Sequence, residues 1–170
     1  MNKYLKTAYQ FGTLGGILSI GSFIFLSFWN TDPTNLNLIF GYIITPIALF
    51  LGIKFFKDYT NSGYLSFAEG MTIGFVTYLL IGVISFLGIA LILKVSPDLF
   101  ASIQETKWSV LEENREVIIS QVGIDSFELT QSNLKAMSFW DIALNDGIWK
   151  IIPGMFFSII ISIILRKNPN

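Results

Sequence analysis

The 170-residue chain contains no cysteine and no histidine. Without cysteine there is no disulfide framework, thiolate metal site, redox pair or iron–sulfur cluster. Without histidine the commonest general base and the commonest transition-metal ligand are also missing. Charge is scarce as well. Asp, Glu, Lys and Arg make up 14% of the residues, where a soluble domain carries about 25%. Apolar residues take 52%, with 16 Phe among them. Such a balance describes a membrane protein, not a soluble enzyme. The formal net charge of −1 carries no message by itself. No basic stripe points to nucleic acid.

Uncharged runs locate the segments able to cross a bilayer. They cover 7–31, 33–53 and 70–93, and each exceeds the roughly 18–20 residues a spanning helix needs. A fourth run, 151–165, is short for a ~30 Å hydrocarbon core. It spans when Gly147 to Lys150 join it and the Lys150 ammonium snorkels to the interface. Spans are therefore expected at about 8–29, 36–56, 67–93 and 147–165. The first run follows Lys3 and Lys6 but is long, and FWNTDPTN offers no small-x-small cleavage site. It reads as a retained span, not a signal peptide.

The flanks set an orientation. Lys3 and Lys6, Lys54 and Lys57, and Arg166 and Lys167 fall on one side of a four-span chain. The other side carries Asp32 and the acid-rich segment 94–150. The positive-inside rule then puts both termini in the cytoplasm. Trp29, Trp140 and Trp149 are expected near the outer interface. In the outer segment, Ser96 can cap and Pro97 occupy the first turn of a helix. Its apolar stripe runs through Leu99, Phe100, Ile103, Val110, Leu111, Val117 and Ile118, interrupted at Lys107. Gly123 ends it, and a shorter helix follows. The expectation is an extracytoplasmic helical hairpin over 96–138.

One acid opens the third run. In SGYLSFAEGMTIGFVTYLL, Ser66 and Glu69 fit the capping-box pattern ahead of an apolar segment. The alternative is an ion-coupling carboxylate. The flanking position, beside Lys54 and Lys57, favours the cap. No charge is expected in the middle of any span. Asp146 and Lys150 read as an i, i+4 ion pair at the outer interface. That absence weakens a pump or coupled-carrier reading.

Small residues recur at helix-packing intervals: Gly12 and Gly16, Gly70 and Gly74, and Gly154, Ser158 and Ser162. They support a close-packed bundle or a homo-oligomer. Pro46 frees the Tyr42 carbonyl and predicts a kink in the second span, satisfied by Thr45 or a neighbouring helix. Pro153 reads as an end effect. No P-loop, GxSxG or HExxH occurs.

The stretch LGIKFFKDYTNSGYLSFAEGMTIGF resembles the signature region of domain-of-unknown-function family 4199, bacterial multi-pass membrane proteins. A basic, aromatic turn (Lys54, Phe55, Lys57) precedes Gly63, Ser66, Phe67, Glu69, Gly70 and Gly74, and SPDLF resembles the family's turn into an outer helix. The resemblance covers roughly residues 5–167. It implies four spans and a cytoplasmic-membrane location and carries no activity with it.

The expected architecture is a single all-α domain over 1–170: a four-helix transmembrane bundle with the outer hairpin between spans three and four. The expected role is a non-enzymatic accessory or scaffold protein of the bacterial inner membrane. Its contacts would be membrane lipid, a protein partner at the hairpin, or further copies of itself. No cofactor, metal or catalytic residue is expected. The alternative is a small oligomeric transporter or channel, supported by Pro46, the glycine stripes, Thr45, Thr72 and Thr77.

Overall fold

The computed structural model describes residues 3–168. Four long apolar helices dominate it: α1 (Lys3–Ser27), α2 (Thr34–Phe55), α3 (Phe67–Val95) and, last in the chain, α7 (Phe139–Leu165). α2 continues through one wider π-type turn, Phe56–Thr60. Between α3 and α7 lie α4 (Pro97–Glu113), α5 (Arg115–Val122) and α6 (Ile124–Ala136). All four long helices are long and apolar enough to cross a membrane. The fold is an all-α membrane bundle.

α3 packs most extensively, against α7 and α1. α2 closes the ring between α1 and α7. Small residues bring the helices close together, and many large apolar side chains face outward. Leu14, Ile17, Phe25, Ile43, Leu87, Leu91, Phe156 and Ile164 are all exposed, as lipid-facing side chains should be. In lipid the close approach of backbones, not hydrophobic burial, holds helices together. A Cβ on Gly12 would stand 2.9 Å from Leu80 Cβ, and one on Gly16 2.7 Å from Ile84 Cβ. One on Gly70 would meet the Ser162 hydroxyl at 2.6 Å, and Gly74 is covered by Ser158. Gly154 faces Tyr78. Each expected stripe is thus engaged inside the chain.

Both described chain ends lie at one end of the bundle, beside the α2–α3 connection. Lys3 Nζ donates to Asn61 Oδ1 at 2.8 Å. Leu65 and Lys167 exchange backbone hydrogen bonds of 2.9 Å. This is called the near end, and the end carrying α4–α6 the far end. The near-end core gathers Ala8, Leu49, Ile53, Phe56, Leu65, Ile73 and Ile161. The far-end core gathers Phe23, Ile89, Leu93, Ile103, Ile142 and Ala143.

At the far end α4 runs on through α5, with a break at Asn114, and α6 folds back along them. Segment 96–138 is therefore three helices. Ser96 stands at the N-cap of α4, but its side chain makes no cap bond. Pro97 does occupy the first turn. Leu111 of α4 and Phe127 of α6 are buried, with Arg115 over the Phe127 ring and Gln131 bonded to Glu112.

The fourth long helix differs from the expected 147–165. It begins at Phe139 because Ser138 caps it: the Asp141 carboxylate accepts from the Ser138 N–H and hydroxyl, both at 2.7 Å. Pro153 consequently lies in the helix interior and is no end effect. Pro46 also lies inside its helix, yet the buried Thr45 hydroxyl has no partner. Thr45 therefore does not take up the freed Tyr42 carbonyl.

Candidate functional site: a buried ion pair beneath a far-end cavity

Because α7 starts two turns before Asp146, the Asp146–Lys150 pair is carried inside the bundle. Lys150 is 1% exposed and Asp146 6%. The expectation of an interfacial pair, and of spans free of internal charge, is corrected. The depth follows from the packing. Gly147 meets Gly82, near the midpoint of α3: a Cβ on Gly82 would lie 2.9 Å from the Gly147 carbonyl oxygen, and one on Gly147 3.0 Å from the Gly82 carbonyl oxygen. Two glycines facing across helices let α3 and α7 touch backbone to backbone.

That close approach brings Ser85 under Asp146. The Ser85 hydroxyl donates to Asp146 Oδ2 at 2.6 Å. From α2, Asn37 Nδ2 donates to Asp146 Oδ1 at 2.7 Å. Lys150 Nζ donates to the same oxygen at 2.5 Å. Ser22 on α1 offers its proton to Asn37 Oδ1 at 2.6 Å and to the Ser19 carbonyl at 2.8 Å. All four long helices thus contribute to one polar network. It lies between the two apolar cores, where α3 switches from Tyr78 to Ile89.

The lysine reaches Asp146 across Gly41 of α2. A Cβ there would stand 2.9 Å from Lys150 Cε, so glycine clears the path of the lysine stem. A charge away from water is tolerable only when paired and hydrogen-bonded, and Asp146 meets that condition. Even so, each partner keeps unused capacity. A carboxylate offers about four acceptor positions and an ammonium three donors. Asp146 uses three of its positions and Lys150 one of its donors.

A cavity of about 130 Å³ reaches Asp146 from the far end. Phe23, Leu38, Met137 and Ile142 form its apolar wall; Thr34, Lys107, Asp141 and Asn145 form the polar one. Lys107 also lines a wider surface recess with Asp32, Asn35 and Thr106. Its ammonium is held by Asp32 Oδ2 at 2.7 Å and Thr34 Oγ1 at 2.9 Å. The residue that interrupts the apolar stripe of α4 is therefore its anchor to the α1–α2 connection.

Just on the near-end side of the network, Thr45 Cγ2 lies 3.4 Å from the position of a Gly154 Cβ. Pro46 and Pro153 are the immediate neighbours of those two residues. Facing helices α2 and α7 thus each lack one backbone hydrogen bond at the same height.

Glu69, the acid singled out by the sequence, is elsewhere. It forms a capping box with Ser66: its Oε2 accepts from the Ser66 N–H at 2.8 Å, and its own N–H donates to Ser66 Oγ at 3.2 Å. Tyr4 donates to Oε1 at 3.1 Å, and Asn61 contributes at 3.4 Å. The cluster lies at the near end and joins α1, the α2–α3 connection and α3. Gly12, Gly16, Gly70, Gly74, Gly154 and Ser158 line helix contacts, of which only Gly154 adjoins the network.

Sequence reasoning overlooked Asn37, Ser85, Ser22, Gly41 and Gly82. One signal was available. Ser138 and Asp141 have cap spacing, which extends the last helix outward and carries Asp146 and Lys150 inside. Among the described residues no group of three or more acidic side chains is arranged to hold a metal ion.

Comparison with known proteins adds a family. The family model described as a protein of unknown function (DUF4199) matches residues 10–167. Comparisons with curated proteins and with solved structures find no match.

Proposed function

We propose that this chain, which belongs to the DUF4199 family, is a small non-enzymatic transporter that binds its solute or ion at the Asp146 network. The carrying observation is the ion pair buried within the bundle at the foot of a far-end cavity. Ionisable groups inside membrane segments are expensive, and they mark substrate, ion or proton routes. The sequence alone weighed against transport because no such group was visible. That objection is removed. Pro46 and Pro153 lie inside continuous helices, where each removes one backbone hydrogen bond beside the network. The non-enzymatic part rests on the absence of His, Cys and any catalytic motif.

The membrane in this proposal is the bacterial cytoplasmic membrane, with the near end inside. Lys3, Lys6, Lys54, Lys57, Arg166 and Lys167 cluster there, as the positive-inside rule requires. The cavity then opens outward. The test is purified protein in liposomes, assayed for flux of monovalent ions and small solutes down a gradient. Flux above that of empty liposomes is expected. Tight liposomes at high protein density would overturn the reading.

A second reading has its own observation. Val110, Val117, Val122, Ile124 and Leu129 on the far-end helices are exposed. They suit an accessory or scaffold protein that meets a partner there. A chimera with 96–138 replaced by a short linker should then lose its partner and its phenotype. Wild-type behaviour of the chimera would sink this reading.

A further inference from the structure

The geometry points to a short primary alkylammonium ion as the ligand of the far-end cavity, bound with its ammonium on Asp146. This deepens the transport reading and rests on it for the location of the site.

Four observations carry it. First, the carboxylate is buried, lines the cavity and keeps one acceptor position without a donor among the described residues. That position is the one a guest N–H would use. Second, the chain itself presents a primary ammonium to this carboxylate: Lys150 Nζ stands 2.5 Å from Oδ1. This carboxylate thus pairs with a primary ammonium, and a guest would share it with Lys150. Third, the charges around the cavity do not balance. Asp32 pairs with Lys107 and Asp146 with Lys150, so the remaining negative charge is that of Asp141 on the cavity lining. A monovalent cation neutralises the group, whereas an anion doubles its imbalance. Fourth, the wall is half apolar. Phe23, Leu38, Met137 and Ile142 suit a hydrocarbon tail. A bare metal ion would leave that wall unused.

Size narrows the class. The cavity measures about 130 Å³, and a water molecule takes up about 30 Å³ of liquid. The cavity suits a guest of a few non-hydrogen atoms, of which propylammonium is an example.

The experiment titrates propylammonium into the full-length protein in detergent, followed by saturation-transfer NMR and calorimetry. 1-Propanol and propionate serve as neutral and anionic isosteres. Saturable binding of propylammonium is expected, at least tenfold tighter than either isostere. Ile142→Phe fills the cavity without touching a charge and should weaken binding at least tenfold. Leu38→Phe, on a half-buried wall position, is the second filling variant in case the first does not fold. Equal binding of 1-propanol, no saturable binding of propylammonium, or unchanged affinity in a folded filling variant would each overturn the inference. Propylammonium binding without flux in liposomes would remove the transport reading and leave the site. Flux without propylammonium binding would do the reverse.

Discussion

Lys150 lies one helical turn beyond Asp146 on the same face of α7, its ammonium 2.5 Å from the carboxylate, and both side chains are buried against α2 and α3. The pair is the only ion pair with both partners buried among the described residues. Its place between two apolar cores makes it costly to break on one side.

Single neutralisation leaves one charge buried and uncompensated. Asp146→Asn or Lys150→Met alone should therefore destabilise the protein by about 3–5 kcal/mol. The double variant Asp146→Asn/Lys150→Met should recover most of that loss. Unfolding in detergent, compared across the four proteins, reads it. Additive losses would contradict a buried pair.

Gly82 and Gly147 meet backbone to backbone, so neither tolerates a side chain. Gly82→Ala should cost about 1–3 kcal/mol through overpacking and separate Ser85 from Asp146. Gly21 has nothing within 4 Å of its Cβ position. Gly21→Ala should be neutral or stabilising by up to about 1 kcal/mol. Equal melting temperatures for the two variants would count against the close approach of α3 and α7.

Glu69 is a helix cap and should behave as one. Glu69→Gln keeps an acceptor for the Ser66 N–H and loses the charge at the helix N-terminus, a cost of about 0.3–1 kcal/mol. Transport should be unchanged in that variant. A flux defect at wild-type stability would return Glu69 to the list of coupling groups.

Lys107 pins α4 over the cavity through Asp32 and Thr34. The chain has no cysteine, so a single reporter at the buried cavity position Ile142→Cys is straightforward. Adding Lys107→Met should speed its labelling by a membrane-impermeant maleimide severalfold. An unchanged rate would show that Lys107 does not restrict access.

The sequence made the bundle legible because α1, α2 and α3 contain long uncharged runs and because α1, α3 and α7 carry stripes of small residues within single helices. It hid the site for three physical reasons. Treating Lys150 as the edge of a span assumed that charge means interface, an assumption that a hydrogen-bonded partner invalidates. Gly82 and Gly147 form a contact across two helices, so neither belongs to a GxxxG pattern along one. Asn37 and Ser85 look like ordinary polar residues until folding brings them to one carboxylate. Lys107 likewise reads as a flaw in an apolar stripe until Asp32 is found opposite it.

The most direct test of the central claim compares proteoliposomes of wild type with those of the Asp146→Asn/Lys150→Met double variant, chosen because its fold should survive. Wild-type flux of a monovalent ion or small solute, lost at least tenfold in a folded double variant, is the predicted result. Equal flux in the two proteins, or none in either, would contradict a transport role for the buried pair.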